Sequence, residues 1–260
     1  MLVLLPPSES KAVPPRRGRP VDVESLSFPE LTAQRLRLLA ALAEASARPD
    51  AAERLGVGAS LAAEVERNTR LTGVPALPVS RVYTGVLYDA LDWESLDAAA
   101  RRRANRRLVV VSALWGALRP GDRVPPYRLS IGADLPGVGP LAAAWRPLLG
   151  PVLAPAAGSG GVVVDCRSTG YAAAWTPPPH LAARTAAIRV LADGPGGRTV
   201  VSHQAKHTRG LVARHLMETG ADPRDVPALA EHLAQRWEVE PVPPPRPSRP
   251  WTLDLLVPAP

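Results

Sequence analysis

Apolar residues along the chain fall into short unbroken runs separated by longer stretches with helical spacing. Leu2–Leu5, Leu108–Ser112 and the stretches 162–165 and 199–202 are runs of four or five residues dominated by Leu, Val and Thr. Runs of this length and composition predict buried β-strands. Residues 32–47 carry Leu36, Leu39, Ala40 and Ala43 at helical spacing, which predicts a helix with those four on its inner face. A second helical segment, 50–69, is interrupted by Gly56 and Gly58, and Ser95 stands where it could N-cap a helix ending at Arg107. Two late helices are expected, over 208–219 with Gly220 as C-cap and over 227–237 with Leu229 and Leu233 inward. Six prolines within 241–250 predict extended polyproline-type chain, and Trp251–Val257 a last strand docking back. With no internal repeat and no break in composition, the expectation is one mixed α/β domain over residues 1–260. It would have a central β-sheet, flanking helices and a helical hairpin region at about 32–107.

Composition removes several function classes. An apolar content of 46% argues against disorder despite 31 prolines. The lone cysteine, Cys166, excludes a disulfide framework and a cysteine-based zinc site, and it fits a reducing compartment. Met1 to Leu5 form too short an apolar stretch for a secretory leader, and the uncharged stretch 147–164 is broken by three prolines and four glycines. A cytoplasmic protein without membrane association is expected. The formal charge is +7, from 31 Lys+Arg against 24 Asp+Glu, yet only Lys11 and Lys206 are lysines. The remaining 29 basic residues are arginine, a bias that permits a polyanionic partner without requiring one. The two lysines stand out because an indifferent surface position in this chain would hold arginine. A compact ammonium is the property they add.

Each expected strand is followed by polar, chemically capable residues. The first leads into Pro6-Pro7-Ser8-Glu9-Ser10-Lys11, and the second into Ala113-Leu114-Trp115-Gly116-Ala117-Leu118-Arg119-Pro120. The third leads into Cys166-Arg167-Ser168-Thr169-Gly170-Tyr171, and the fourth into His203-Gln204-Ala205-Lys206-His207-Thr208-Arg209-Gly210. In α/β sheets, ligands sit outside the carboxyl ends of strands, where loops converge, so these four segments predict one shared cleft. Glu9, Lys11 and Lys206 are the candidates for acid–base or nucleophilic chemistry there. His203 and His207 could share a helix face as metal ligands, but no third ligand has suitable spacing, and no metal or cofactor is expected. Cys166 reads as a small buried residue at a strand end. The segments Arg81-Val82-Tyr83-Thr84-Gly85 and Pro126-Tyr127-Arg128-Leu129 pair tyrosines with polar neighbours. Such pairs can stack on bases and hold phosphates, or fill a core edge. The five arginines at 101, 102, 103, 106 and 107 read as a solvated helix face.

Leu55-Gly56-Val57-Gly58-Ala59-Ser60-Leu61-Ala62 fits a helix-hairpin-helix pattern. Its glycines would let amide N–H groups point at a DNA phosphate, and the small Ala62 would let two helices approach. Leu135-Pro136-Gly137-Val138-Gly139-Pro140-Leu141-Ala142 fits the same pattern with no helix before it, so one of the two matches is accidental.

Taken in order, these motifs resemble the YaaA family of peroxide-stress proteins. The resemblance rests on Pro7-Ser8-Glu9-Ser10-Lys11, Val82-Tyr83-Thr84-Gly85-Val86, the Ser112 to Pro120 segment, Pro126-Tyr127-Arg128-Leu129 and Lys206-His207-Thr208-Arg209-Gly210-Leu211. It implies a cytosolic mixed α/β fold with a basic cleft and a DNA-binding helix-hairpin-helix element at Gly56, Gly58 and Ala62. It also implies a role in limiting peroxide and iron damage to DNA. Glu9, Arg167, His203 and His207 depart from the pattern of the better-known members.

Two functions follow as expectations. In the first, a monomer binds duplex or distorted DNA through Gly56 and Gly58, with Lys11, Arg119, Arg128, Lys206 and Arg209 neutralising phosphates. Ser8, Tyr83, Thr84, Tyr127, Arg167, Ser168, Tyr171 and His203 complete the expected binding set. In the second, the same cleft takes a small anionic ligand, and Glu9, Lys11 and Lys206 act on a nucleotide-like or phosphorylated molecule. Convergence of those three residues in a closed pocket would favour the second, and a groove continuous with Gly56 and Gly58 the first.

Overall fold

The first three aliphatic runs become the centre of one sheet. The computed structural model describes residues 1–194, 197–200 and 202–258. Its main strands are β1 (Leu2–Leu5), β2 (Leu108–Ser112), β3 (Gly116–Leu118), β4 (Val163–Asp165), β5 (Thr185–Gly194), β6 (Gly197–Val200), β7 (Glu238–Val242) and β8 (Trp251–Val257). They are ordered β7-β8-β5-β4-β1-β2-β3, with β6 pairing β5. β1 runs parallel to both β2 and β4, β4 to β5, and β5 to β8, while β3, β6 and β7 pair antiparallel. Every residue of β1, β2 and β4 is buried, which requires cover on both faces of the sheet.

The parallel order has a consequence for function. The chain leaves β1 for β2 on one side, then returns to β4 on the other side of β1 and continues outward through β5 and β8. This is a doubly wound topology whose order reverses between β1 and β4. Loops leaving those two strands must diverge, and a crevice opens at their carboxyl ends.

Six helices matter here: α1 (Thr32–Ser46), α2 (Val86–Leu91), α3 (Ala98–Arg107), α4 (Leu141–Ala156), α5 (Ser202–Thr219) and α6 (Val226–Leu233). Among the described residues no helix is long and apolar enough to cross a membrane.

Several elements differ from expectation. α1 buries Arg35, Leu38, Leu39 and Leu42 and leaves Leu36 exposed, so its inner face is rotated from the one expected. Arg35 enters the core on that face, its Nε and Nη2 donating to the carbonyls of Trp115, Ser27 and Ala117. Asp97, not Ser95, caps α3, accepting from the Ala100 amide at 2.6 Å. Arg103 and Arg107 of that helix are half-buried and tied down. They donate to the carbonyls of Met217, Glu218, Gly220 and Ala221 at the end of α5. The expected fourth buried strand over 199–202 is instead the antiparallel β6, ending at Val200; Val201 lies outside the described residues, and α5 begins at Ser202.

Candidate functional site

The loop leaving β1 is fastened from behind. Lys11 Nζ donates to the carbonyls of Ser8 at 2.8 Å and Glu9 at 3.4 Å, and stands 4.4 Å from the Tyr127 ring centroid and 5.8 Å from that of Tyr83. A small ammonium can meet two carbonyls and two ring faces at once, whereas a planar guanidinium is too broad for the same space. That geometry accounts for lysine at position 11. Beneath it the Tyr127 hydroxyl shares hydrogen bonds with Tyr83 at 3.1 Å and Ser112 at 2.7 Å. Burial pulls the Lys11 ammonium down to about 8; Glu9 and Glu64 oppose the fall and Arg128 adds to it. Burial likewise pushes the Tyr83 phenol up to about 12.

Arg128 is the second fastener. It donates to the Glu9 carbonyl at 2.9 Å and lies 3.5 Å from the Glu9 carboxylate and 3.8 Å from that of Glu64.

Opposite this loop, α2 and α5 cross closely. A Cβ on Gly210 would collide with the Leu87 carbonyl, so only glycine allows the approach. Gly85, at φ +91°, turns the chain into α2 with its Cβ position 3.4 Å from Ser8 Oγ. Between these elements lies a cavity of about 540 Å³, within the range that holds a small-molecule ligand. Ser8, Glu9 and Ser10 line it from the first loop, and Val86, Leu87 and Tyr88 from α2. Ser168, Thr169 and Tyr171 line it from the chain after β4, and Ala205, Lys206 and Arg209 from α5. The cavity thus occupies the crevice where the strand order reverses. Arg209 is anchored by donating twice to the Ile188 carbonyl, at 3.1 and 2.9 Å. The Tyr171 side chain is buried. Burial pushes that phenol well up, and the nearby Glu9 carboxylate adds to the rise.

Sequence reasoning brought Ser8, Glu9, Ser168, Tyr171, Lys206 and Arg209 to one place, and the structure puts all six on the cavity. It missed Thr169, Tyr88 and Ala205 as lining residues, although Thr169 and Ala205 stood inside quoted motifs. Other expectations are corrected. Lys11, Tyr83 and Tyr127 form the floor behind the loop instead of facing ligand. Thr84 donates its amide to the Ser10 carbonyl at 3.3 Å and, with Tyr83, borders a separate, more open hollow of about 250 Å³. Arg119 sits at the opposite end of the sheet, donating to the carbonyls of Arg106 and Leu108. Its displacement follows from Gly116, at φ +68°, which turns the chain back along β2. Arg167 is fully buried in a two-pronged pair with Asp165, at 2.9 and 2.7 Å, and also donates to the carbonyls of Tyr171 and Trp175. His203 and His207 are exposed on α5 and do not line the cavity. Cys166 is buried, and burial raises its thiol to about 12.

Gly56 and Gly58 lie outside the cavity. Gly56, at φ +63°, closes a four-residue helix, Ala51–Arg54: its amide donates to Glu53 and that of Val57 to Ala52. Ala62 is exposed at the start of a seven-residue helix, so it is not a contact between packed helices. The second pattern match is a turn as well, with Gly137 and Gly139 both at positive φ within a small hairpin before α4.

The fold and site define a doubly wound α/β protein with a cation-bearing cavity at its switch point. A family profile described as peroxide stress protein YaaA matches residues 1–241. The chain belongs to that family. A UPF0246 protein of Streptomyces coelicolor is 51% identical over 260 residues, covering 99% of this chain and 98% of the relative. A UPF0246 protein of Corynebacterium efficiens is 39% identical over 232 residues, covering 89% of each. Another from Corynebacterium glutamicum is 38% identical over 220 residues, covering 83% of this chain and 84% of its own.

Proposed function

We propose that this cytoplasmic peroxide-stress protein protects DNA by engaging a nucleoside phosphate in the cavity at the β1–β4 switch point. The observation that carries the reading is the meeting of Lys206 and Arg209 with Ser8, Thr169 and the aromatic wall of Tyr88 and Tyr171 around one nucleotide-sized space. Cations serve the phosphate, hydroxyls the sugar, and the tyrosines a base. The unit can arrive as a free nucleotide or as part of distorted, single-stranded or bubble DNA, because the recognising chemistry is the same. A surface clamp on duplex DNA through Gly56 and Gly58 has less behind it, since that turn and Arg119 are both remote from the cavity.

The test is a titration of the full chain with a panel of mononucleotides, and with labelled single-stranded, bubble and duplex DNA at about 50 mM salt. Binding of either source is expected, with loss in Lys206→Ala. Competition by free mononucleotide against DNA identifies the shared site; DNA binding without such competition assigns the polynucleotide alone. With Lys206 and Arg209 as the contacting cations, the salt slope for single-stranded DNA should be about −1.4. No binding to any probe, or binding untouched by Lys206→Ala, refutes the proposal.

A further inference from the structure

The peptides that follow β1 are oriented by cations. Lys11 holds the Ser8 and Glu9 carbonyls at 2.8 and 3.4 Å, and Arg128 holds the Glu9 carbonyl at 2.9 Å. In a planar trans peptide the N–H points opposite to the C=O. With these carbonyls drawn toward Lys11 and Arg128, the N–H groups of Glu9 and Ser10 are turned the other way, on the side where residues 8–10 line the cavity. Neither N–H meets a protein acceptor among the described residues. Charge behind a carbonyl polarises the peptide and strengthens its N–H as a donor. From the far wall Lys206 and Arg209 supply positive charge to the same space. Tyr171, only 6% exposed, closes the same space with its ring.

We infer that the Glu9 and Ser10 amides form the anion seat of this cavity, receiving phosphate oxygens, with Lys11 and Arg128 as positioning residues behind them. The inference rests on the cavity being a nucleoside phosphate site and assigns where the phosphate goes. It also gives the loop motif a chemical purpose: the lysine serves the ligand through the backbone. The Glu9 carboxylate, which would repel an anion, is 3.5 Å from Arg128 Nη2. The groups facing Lys11 are the Tyr83 and Tyr127 rings, the Glu9 and Glu64 carboxylates and the Arg128 guanidinium. Its ammonium titrates at about 8, so the seat loses its backing as pH rises through that value.

The experiment uses the full-length ¹⁵N-labelled chain at pH 7, titrated with inorganic phosphate. The Glu9 and Ser10 amide protons should move downfield and saturate. Those of Ala12 and Cys166, already bonded to Val82 and Leu4, should stay. In Lys11→Met, phosphate affinity should drop about tenfold, as for losing a charge-assisted hydrogen bond, while affinity for an uncharged nucleoside is retained. Sulfate, whose charge is constant, should bind wild type more weakly at pH 9 than at pH 7 and bind Lys11→Met equally at both. Phosphate binding that leaves the Glu9 and Ser10 resonances unmoved, or that survives Lys11→Met intact, overturns the seat but not the cavity. Failure of wild type to bind phosphate or any mononucleotide overturns both. Should the variant fail to fold, the wild-type resonances still decide.

Discussion

Holding a charged Lys11 against two tyrosine rings costs stability, and the cost has a pH signature. The ammonium titrates at about 8 in the folded chain, pulled down mainly by burial, and at about 10.4 when unfolded. Below pH 8 both states are protonated and the folded state bears the full penalty, on the order of 3 kcal/mol. Between about 8 and 10.4 the unfolded chain keeps a proton that the folded chain has released, so stability rises with pH. Integrated over pH 7 to 9, this one group adds about 1 kcal/mol, and by pH 10 about 2 kcal/mol. Urea unfolding followed by the six tryptophans measures it. With a slope of about 3 kcal/mol per molar, the wild-type midpoint should gain roughly 0.4 M more than that of Lys11→Met between pH 7 and 9. Other groups titrate in both proteins and cancel in the difference. Midpoints that move in parallel would refute the burial argument for Lys11.

Three further outcomes test the surroundings. Gly210→Ala should destabilise by about 1–3 kcal/mol, because its methyl group meets backbone at Leu87, and nucleotide affinity should fall as α5 and α2 part; a melting temperature and affinity equal to wild type would contradict the close crossing. Arg167→Met strands the buried Asp165 carboxylate and should cost about 3–5 kcal/mol, lowering Tm by roughly 10 °C, as calorimetry would show; a change under about 2 °C would place Arg167 outside the core. Cys166, its thiol raised to about 12, should resist iodoacetamide at pH 8 in the native chain and alkylate fully in urea. Native labelling at the rate of a free thiol would contradict its burial.

What could be read from sequence followed from how local each signal is. β1 and β2 were legible to the residue because a fully buried strand needs an unbroken aliphatic run. β5 was not: Thr185-Ala186-Ala187-Ile188-Arg189-Val190 mixes weak strand formers with a charge, and its place is set by pairing with β4 and β8. α4 was hidden by Pro147, Pro151 and Pro155, which normally break helices. Their four-residue spacing puts all three on the exposed side, where water satisfies the carbonyls they orphan. The candidate site was half legible for a similar reason. Loops after parallel strands converge by topology, so Ser8 and Ser168 could be grouped from the strand pattern, whereas Lys206 reaches the cavity from α5, which follows the antiparallel β6. Arg119 could not be placed, because whether the chain continues past β2 or folds back on it turns on one glycine with positive φ.

The arginine excess reads differently once its partners are known. Arg35, Arg103, Arg107, Arg119 and Arg167 all spend their guanidinium groups on internal carbonyls or a buried carboxylate. A guanidinium offers five donors in a fixed fork, so it can close helix ends and loop carbonyls that would otherwise be buried without partners. In a chain with 31 prolines, each lacking the backbone N–H that might have bonded such a carbonyl, that service is in demand. The formal charge of +7 therefore overstates what is available to an anionic partner. The charge of these arginines still adds to the field of the molecule, but direct contact with an anion must come from a few placed groups. That is the condition under which a switch-point cavity with two cations, and a loop whose peptides are turned from behind by a third and a fourth, is worth maintaining at a cost in stability.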